Sequence, residues 1–171
     1  MITPGYVQTM ARYNAWQNHA IYHAARGLDV SELRQDKGAF WGSIEGTLSH
    51  LAWGDMIWIA RFDGGAGPKA HLSETATAYD WDALWLLRPQ LDARIAAWAW
   101  SATQDDLDGK LSWFSGAANA QMSLPRATCV VQLFNHQTHH RGQVHAMLTA
   151  AGVKTDDTDL PFIPSEVPEW R

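Results

Sequence analysis

One cysteine, Cys129, stands in the 171 residues, so the chain cannot close a disulfide on itself. Charge is sparse, at 18% of residues, and the basic share is the smaller: 13 Lys+Arg face 18 Asp+Glu for a net charge of -5. No run of Lys or Arg occurs. A chain so balanced lacks the basic face that displaces counterions from a nucleic-acid backbone, and it lacks attraction to an anionic membrane surface. No stretch approaches the roughly 18 consecutive apolar residues of a membrane span. The opening Met1-Ile2-Thr3-Pro4-Gly5-Tyr6 has no charged segment leading into an apolar one, so no secretory signal is expected, and a cytoplasmic setting is. Helical repeats of fixed period are absent, as is any motif for a nucleotide, flavin or nicotinamide. What remains as partner is a small molecule.

Apolar residues are plentiful, at 46%, and ten of them are tryptophan. The length suits one domain, residues 1–171, with a sizeable core. Most of the indoles belong in that core, and some can line a pocket.

Four long segments carry helical periodicity. The first, about 4–26, follows the Thr3-Pro4 start signal, with Tyr6, Met10, Tyr13, Gln17, Ala20 and Ala24 on one stripe. A polar connection follows, which Leu33 and Phe40 would pin to the core. The second helix, about 43–62, opens on Ser43, though Gly46 stands where a capping box would have Glu. It is apolar nearly all round and should be deeply buried. Asp63-Gly64-Gly65-Ala66-Gly67-Pro68 breaks it, and a long loop leads to Asp80, the cap of a third helix ending near 100. Pro89 inside that helix predicts a kink or local break. Segments 110–114 and 120–124 fit a short β-hairpin around Ser115-Gly116-Ala117-Ala118-Asn119. The fourth helix spans about 125–151. An extended tail would pack through Leu160, Phe162 and Ile163. Four long helices in one chain predict an all-α four-helix bundle with long crossover connections.

The chemistry concentrates in the fourth helix, in Asn135-His136-Gln137-Thr138-His139-His140-Arg141-Gly142-Gln143. His136 and His140, four residues apart, project from one face, one turn above the other, and could close on one divalent ion. Gln132, His139, His140, Gln143 and Met147 fall within about 60° of His136 on the helical wheel, whereas Arg141 and His145 point away. A third donor must come from another helix. His50, in the most apolar helix, is the best placed. His19 and His23 form a rival pair, off the apolar stripe and so mainly exposed. His71 lies in the long loop. Cys129 is two turns from His136, too far to close the site, and reads as a small buried hydrophobe. Asp55 lies about 140° round from His50.

Gly38-Ala39-Phe40-Trp41-Gly42-Ser43-Ile44-Glu45-Gly46-Thr47-Leu48-Ser49-His50-Leu51, with Asp55 and Trp58 beyond it, resembles the second helix of the DinB/YfiT-like proteins. This is the damage-inducible four-helix-bundle family, unrelated to the DNA polymerase that shares the name. The Asn135-His136 and His139-His140-Arg141-Gly142-Gln143 run is similar to its fourth-helix signature. Tyr13-Asn14-Ala15-Trp16-Gln17-Asn18 resembles its first-helix pattern, except that a small residue is commoner at Gln17. Thr158-Asp159-Leu160-Pro161 matches its tail. The resemblance implies an up-down-down-up bundle and a homodimer. It also implies a divalent metal, Zn, Ni, Fe, Co or Cu, held by His50, His136 and His140, with His139 as a neighbour.

Three neutral imidazoles would leave the ion's charge uncompensated, ready to hold a thiolate or to activate water. By analogy with thiol-dependent relatives of the wider superfamily, the expected activity is metal-dependent transfer of a small thiol to an electrophile, in detoxification or stress. The alternatives are a metal-dependent hydrolase, which needs a nearby general base, and a non-catalytic metal or small-ligand binder.

Overall fold

The computed structural model describes residues 1–170. Four long helices dominate: α1 (Pro4–Ala25), α3 (Ile44–Asp63), α4 (Trp81–Ser101) and α6 (Arg126–Ala150). Two short helices, α2 (Val30–Arg34) and α5 (Gln104–Leu107), interrupt the connections. Strands β1 (Lys110–Ser115) and β2 (Ala120–Pro125) form the expected antiparallel hairpin, with Leu111 opposite Leu124 and Trp113 opposite Met122.

The helix ends follow local chemistry. Thr3 Oγ1 accepts the Tyr6 N–H at 3.2 Å, with Pro4 opening α1. Ser43 Oγ accepts the Gly46 N–H at 3.0 Å, and Asp80 accepts the Ala83 N–H at 2.9 Å. Gly64, at φ 73°, closes α3 by donating its N–H to Ala60 O. Helix α4 runs unbroken through Pro89, so the expected local break is not there. A proline deletes one backbone hydrogen bond, and burial of Leu84, Leu91, Ile95 and Trp98 on both sides of it holds the helix together.

Cross-helix contacts fix the directions. Tyr6 meets Phe134 and Asn14 meets Arg141, so α1 and α6 run parallel. Asp55 meets Arg88 and Phe62 meets Trp98, so α3 and α4 run parallel. Asn18 with Asp92 and His23 with Trp85 set α1 antiparallel to α4. His50 with His140 and Gly54 with His136 do the same for α3 and α6. This is the up-down-down-up arrangement, and it explains the long crossovers: parallel neighbours cannot be joined by a tight turn.

The core is split. One apolar cluster gathers Val7, Ala11, Ile59, Ile95, Leu133 and Phe134; the other gathers Tyr22, Leu33, Ile44, Leu48, Leu84 and Leu148. Between them lies a buried polar layer to which all four long helices contribute. Arg88 donates to Asp55 at 2.7 Å and pairs with Asp92 at 2.9 Å. Asn18 donates to Asp92 at 2.8 Å, Gln137 donates to Asp55, and Arg141 donates to Asn14 and to Gln137. Burial pulls the Arg88 guanidinium down, but the Asp92 and Asp55 carboxylates more than restore it, and it stays charged.

Two expected anchors fail. Leu33 is fully buried, but Phe40 is 80% exposed. Its turn crosses the outside of α3, and it is the next residue, Trp41, that turns inward over His50. The tail is extended, apart from one 3-10 turn at Leu160–Phe162, yet Leu160 and Phe162 are exposed. Trp170 holds it instead, packed edge-on against Tyr22, His19 and Trp85. Arg12, Tyr13 and Gln17 donate to tail carbonyls at 2.8, 2.8 and 2.9 Å. His19 and His23 are accordingly half-buried rather than exposed, stacked at 3.8 Å beneath that indole.

Replacing Arg88 with Met strands two buried carboxylates without their cation. Arg88→Met should lower unfolding free energy by about 3–5 kcal/mol, measured by urea denaturation; a loss below about 1 kcal/mol would show that the layer is not held by this pair.

Candidate metal centre

The His50 face of α3 lies against the His136 face of α6, on the side of both helices away from the polar layer. His50 Nε2 and His136 Nε2 are 2.9 Å apart. The three ring centroids of His50, His136 and His140 form a near-equilateral triangle of 4.9, 4.7 and 4.6 Å. One ligand nitrogen from each lies within 4.8 Å of the others, and among the described residues no other group of three histidine, cysteine or carboxylate donors is close enough to share an ion. A tetrahedral ion about 2.1 Å from each imidazole nitrogen would set those nitrogens about 3.4 Å apart, so small side-chain shifts suffice. The residues present fit such an ion.

Neighbours orient two of the three rings by hydrogen bonds, and the buried His136 Nδ1 has no hydrogen-bond partner among the described residues. His140 Nδ1 lies 2.7 Å from Gln143 Oε1, an acceptor, so the proton sits on Nδ1 and the Nε2 lone pair faces inward. His50 Nδ1 lies 3.1 Å from Thr75 Oγ1. Thr75 is fully buried, and its carbonyl accepts from Ser49 Oγ at 2.7 Å, which ties the loop after α3 to the helix that carries His50. The Trp41 indole stacks on His50 at 3.9 Å. Gly46 permits this: a Cβ there would stand 2.5 Å from Trp41 O. The missing capping-box glutamate is therefore the residue that lets the preceding turn lie flat on α3.

Gly54 plays the same part for His136. A Cβ at Gly54 would stand 2.8 Å from His136 Cε1 and 3.2 Å from Nδ1. The imidazole lies directly on the α3 backbone, one turn beyond His50.

Burial makes all three rings poor bases. His50 is pushed down to about 3 and His136 to about 4, by desolvation first and then by the neighbouring imidazoles; His140 is also lowered, chiefly by burial. At neutral pH the rings are uncharged, so each keeps one ring nitrogen with a lone pair.

The remaining candidates lie elsewhere. His139 is exposed, its ring 4.8 Å from His140, which makes it the expected neighbour. His71 caps a short 3-10 turn, with Nδ1 3.0 Å from Ser73 Oγ. His145 lies 3.2 Å from Thr155 Oγ1. The Cys129 thiol is buried, and burial raises its pKa. Asp55 is engaged by Arg88 and Gln137 in the polar layer. Periodicity and spacing do not single out Gly54, Thr75 or Trp41. Only Gly54 left a signal, as a glycine one turn from a candidate ligand and on its face.

Helix order, crossing directions and the imidazole triangle define an α-helical bundle protein whose site could hold a divalent metal. The chain belongs to the DinB family, whose model matches residues 1–170. It is also 26% identical over 152 residues to Protein DinB of Bacillus subtilis (strain 168), covering 86% of this chain and 87% of that one.

Two outcomes test the centre. Gly54→Ala should weaken metal binding about tenfold or more, read by competition with a chromophoric chelator, while His50→Ala and His136→Ala abolish stoichiometric metal; unchanged metal content in all three would remove the site. The second is a pH dependence. Below about pH 6.5 the unfolded histidines take up protons that buried His50 and His136 refuse, so the unfolded state binds more protons and stability falls with falling pH. The chelator-treated protein should keep full stability above about pH 6.5 and lose it progressively toward pH 4, and His50→Gln should flatten that slope in denaturation midpoints.

Proposed function

We propose that His50, His136 and His140 hold one divalent cation, and that the protein uses it to transfer a small thiol to an electrophile. The observation that carries the reading is the convergence of three neutral imidazoles from two helices, two buried and one half-buried, with no carboxylate grouped among them. A divalent ion bound there would keep its full charge and would hold a thiol sulfur as the thiolate.

The chain's own residues supply the rest. Gln143 and Thr75 keep two of the rings in one orientation. Trp41 shields one side of the triangle. The thiolate sulfur forms a bond to the electrophilic carbon, the leaving group departs with its electron pair, and the thiol proton goes to solvent. The hydrolytic alternative needs a general base beside the ion. Asp55, the nearest in sequence, is bound into the polar layer by Arg88 and Gln137, which favours the thiol reading. A homodimer, a cytoplasmic setting and a role in detoxification or stress belong to the same proposal. No helix among the described residues is long and apolar enough to cross a membrane.

The test is a panel of small thiols with a chromogenic electrophile. The rate should require both thiol and metal and should vanish in His50→Ala. A rate indifferent to either would end the thiol reading; hydrolysis of activated esters without thiol would favour the hydrolase.

A further inference from the structure

Helix α3 extends the His50 face in one direction. Trp53, Ile57 and Arg61 stand three, seven and eleven residues beyond His50, which places all three within about 60° of its direction. They form one side of a cavity of about 400 Å³, closed on the other side by the hairpin residues Trp113 and Phe114 and by the loop after α3. That volume suits a small organic ligand. The cavity starts one turn from His50, and Ile57 lies about 10 Å from it along the axis. Trp53 Nε1–H donates to Ala70 O at 2.8 Å, which fixes the loop wall.

Among the described residues Arg61 is the one Lys or Arg side chain in this lining, which also holds His71. Its guanidinium sits 4.6 Å from the Trp58 ring centre and 5.0 Å from that of Trp113. The two indoles meet edge to face at 5.6 Å and hold it from two sides. No carboxylate or carbonyl engages its N–H donors among the described residues. Its titratable neighbour is Cys129, a buried and neutral thiol. A positioned planar guanidinium with free donors is built to receive a carboxylate. The indoles and the exposed Phe114 ring offer apolar faces beside it.

We propose that this cavity binds the carboxylate-bearing, apolar part of the substrate, with Arg61 receiving the carboxylate and the indole walls the apolar body. Resting on the thiol-transfer reading, this assigns the electrophile a class: an apolar acid long enough for its reactive carbon to reach from the cavity toward the imidazole triangle, about two to three helical turns from its anion.

The test uses binding alone, with chelator and without thiol, so it stands or falls apart from the transferase reading. Phenylacetate and its neutral amide, phenylacetamide, are titrated calorimetrically into wild type, Arg61→Gln and Arg61→Lys. The acid should bind wild type about tenfold or more tighter than the amide. Arg61→Gln should erase that difference, and Arg61→Lys should restore part of it. Equal binding of acid and amide to wild type would overturn the proposal, as would acid binding that survives in Arg61→Gln. Acid binding that appears only after metal loading would overturn it too, because the ion and not Arg61 would then hold the carboxylate. Tighter binding of inorganic phosphate than of phenylacetate would overturn the substrate class. Should Arg61→Gln fail to fold by circular dichroism, the acid–amide comparison in wild type decides.

Discussion

The buried layer of Asp55, Arg88, Asp92, Gln137 and Arg141 is the constraint on which the rest of the molecule depends. Two carboxylates and two guanidiniums meet midway between two apolar clusters. Ion pairs removed from water return little net stability, because desolvation offsets their attraction. Their effect is on register. Apolar contacts tolerate a slide of one helix along another, but a slide by one turn here would leave charges buried and unpaired. That penalty selects a single alignment of four helices. We regard this as the reason an apolar-rich chain keeps a charged layer.

The same alignment sets the imidazole triangle. Gln137 and Arg141 each follow a triad histidine by one residue, and Asp55 follows His50 by five. The layer and the triangle thus occupy separate faces of the same two helices, about 100–140° apart, so locking one positions the other. Close approach does the remainder. Gly54 lets the His136 ring rest on α3, and Gly46 lets the turn carrying Trp41 rest beside it. Burying three imidazoles together disfavours their charged forms. The fold bears that cost, and a cation that takes the lone pairs would repay it.

Much was legible in the chain. The fourth-helix histidines announced themselves by a four-residue interval that any helix converts to a shared face. His50 was singled out as a histidine in an apolar helix. The hairpin showed as two short segments around a turn, and the helix starts as Thr3, Ser43 and Asp80. Three things were not legible. Size and apolarity point to Phe40 as an anchor; which of two adjacent aromatics turns inward depends on the path of a turn, and here it is Trp41. The tail's expected contacts are Leu160, Phe162 and Ile163; the first two are exposed, Ile163 is half-buried, and Trp170 packs on Tyr22, His19 and Trp85. Arg141 was rightly placed away from the histidine face, but a helical wheel cannot tell a solvent-facing side from one facing a buried carboxylate.

The sequence by itself determined the helices, their ends and the identity of the donors, because capping, periodicity and spacing act within a few residues. Tertiary structure alone decided that a residue in one helix meets two in another 86 and 90 positions away, that Thr75 and Gln143 fix the orientation of two rings, and that Asp55 serves the interior rather than the site. Those outcomes depend on which faces four helices turn toward one another, and that is set by the energy of the whole packed interior.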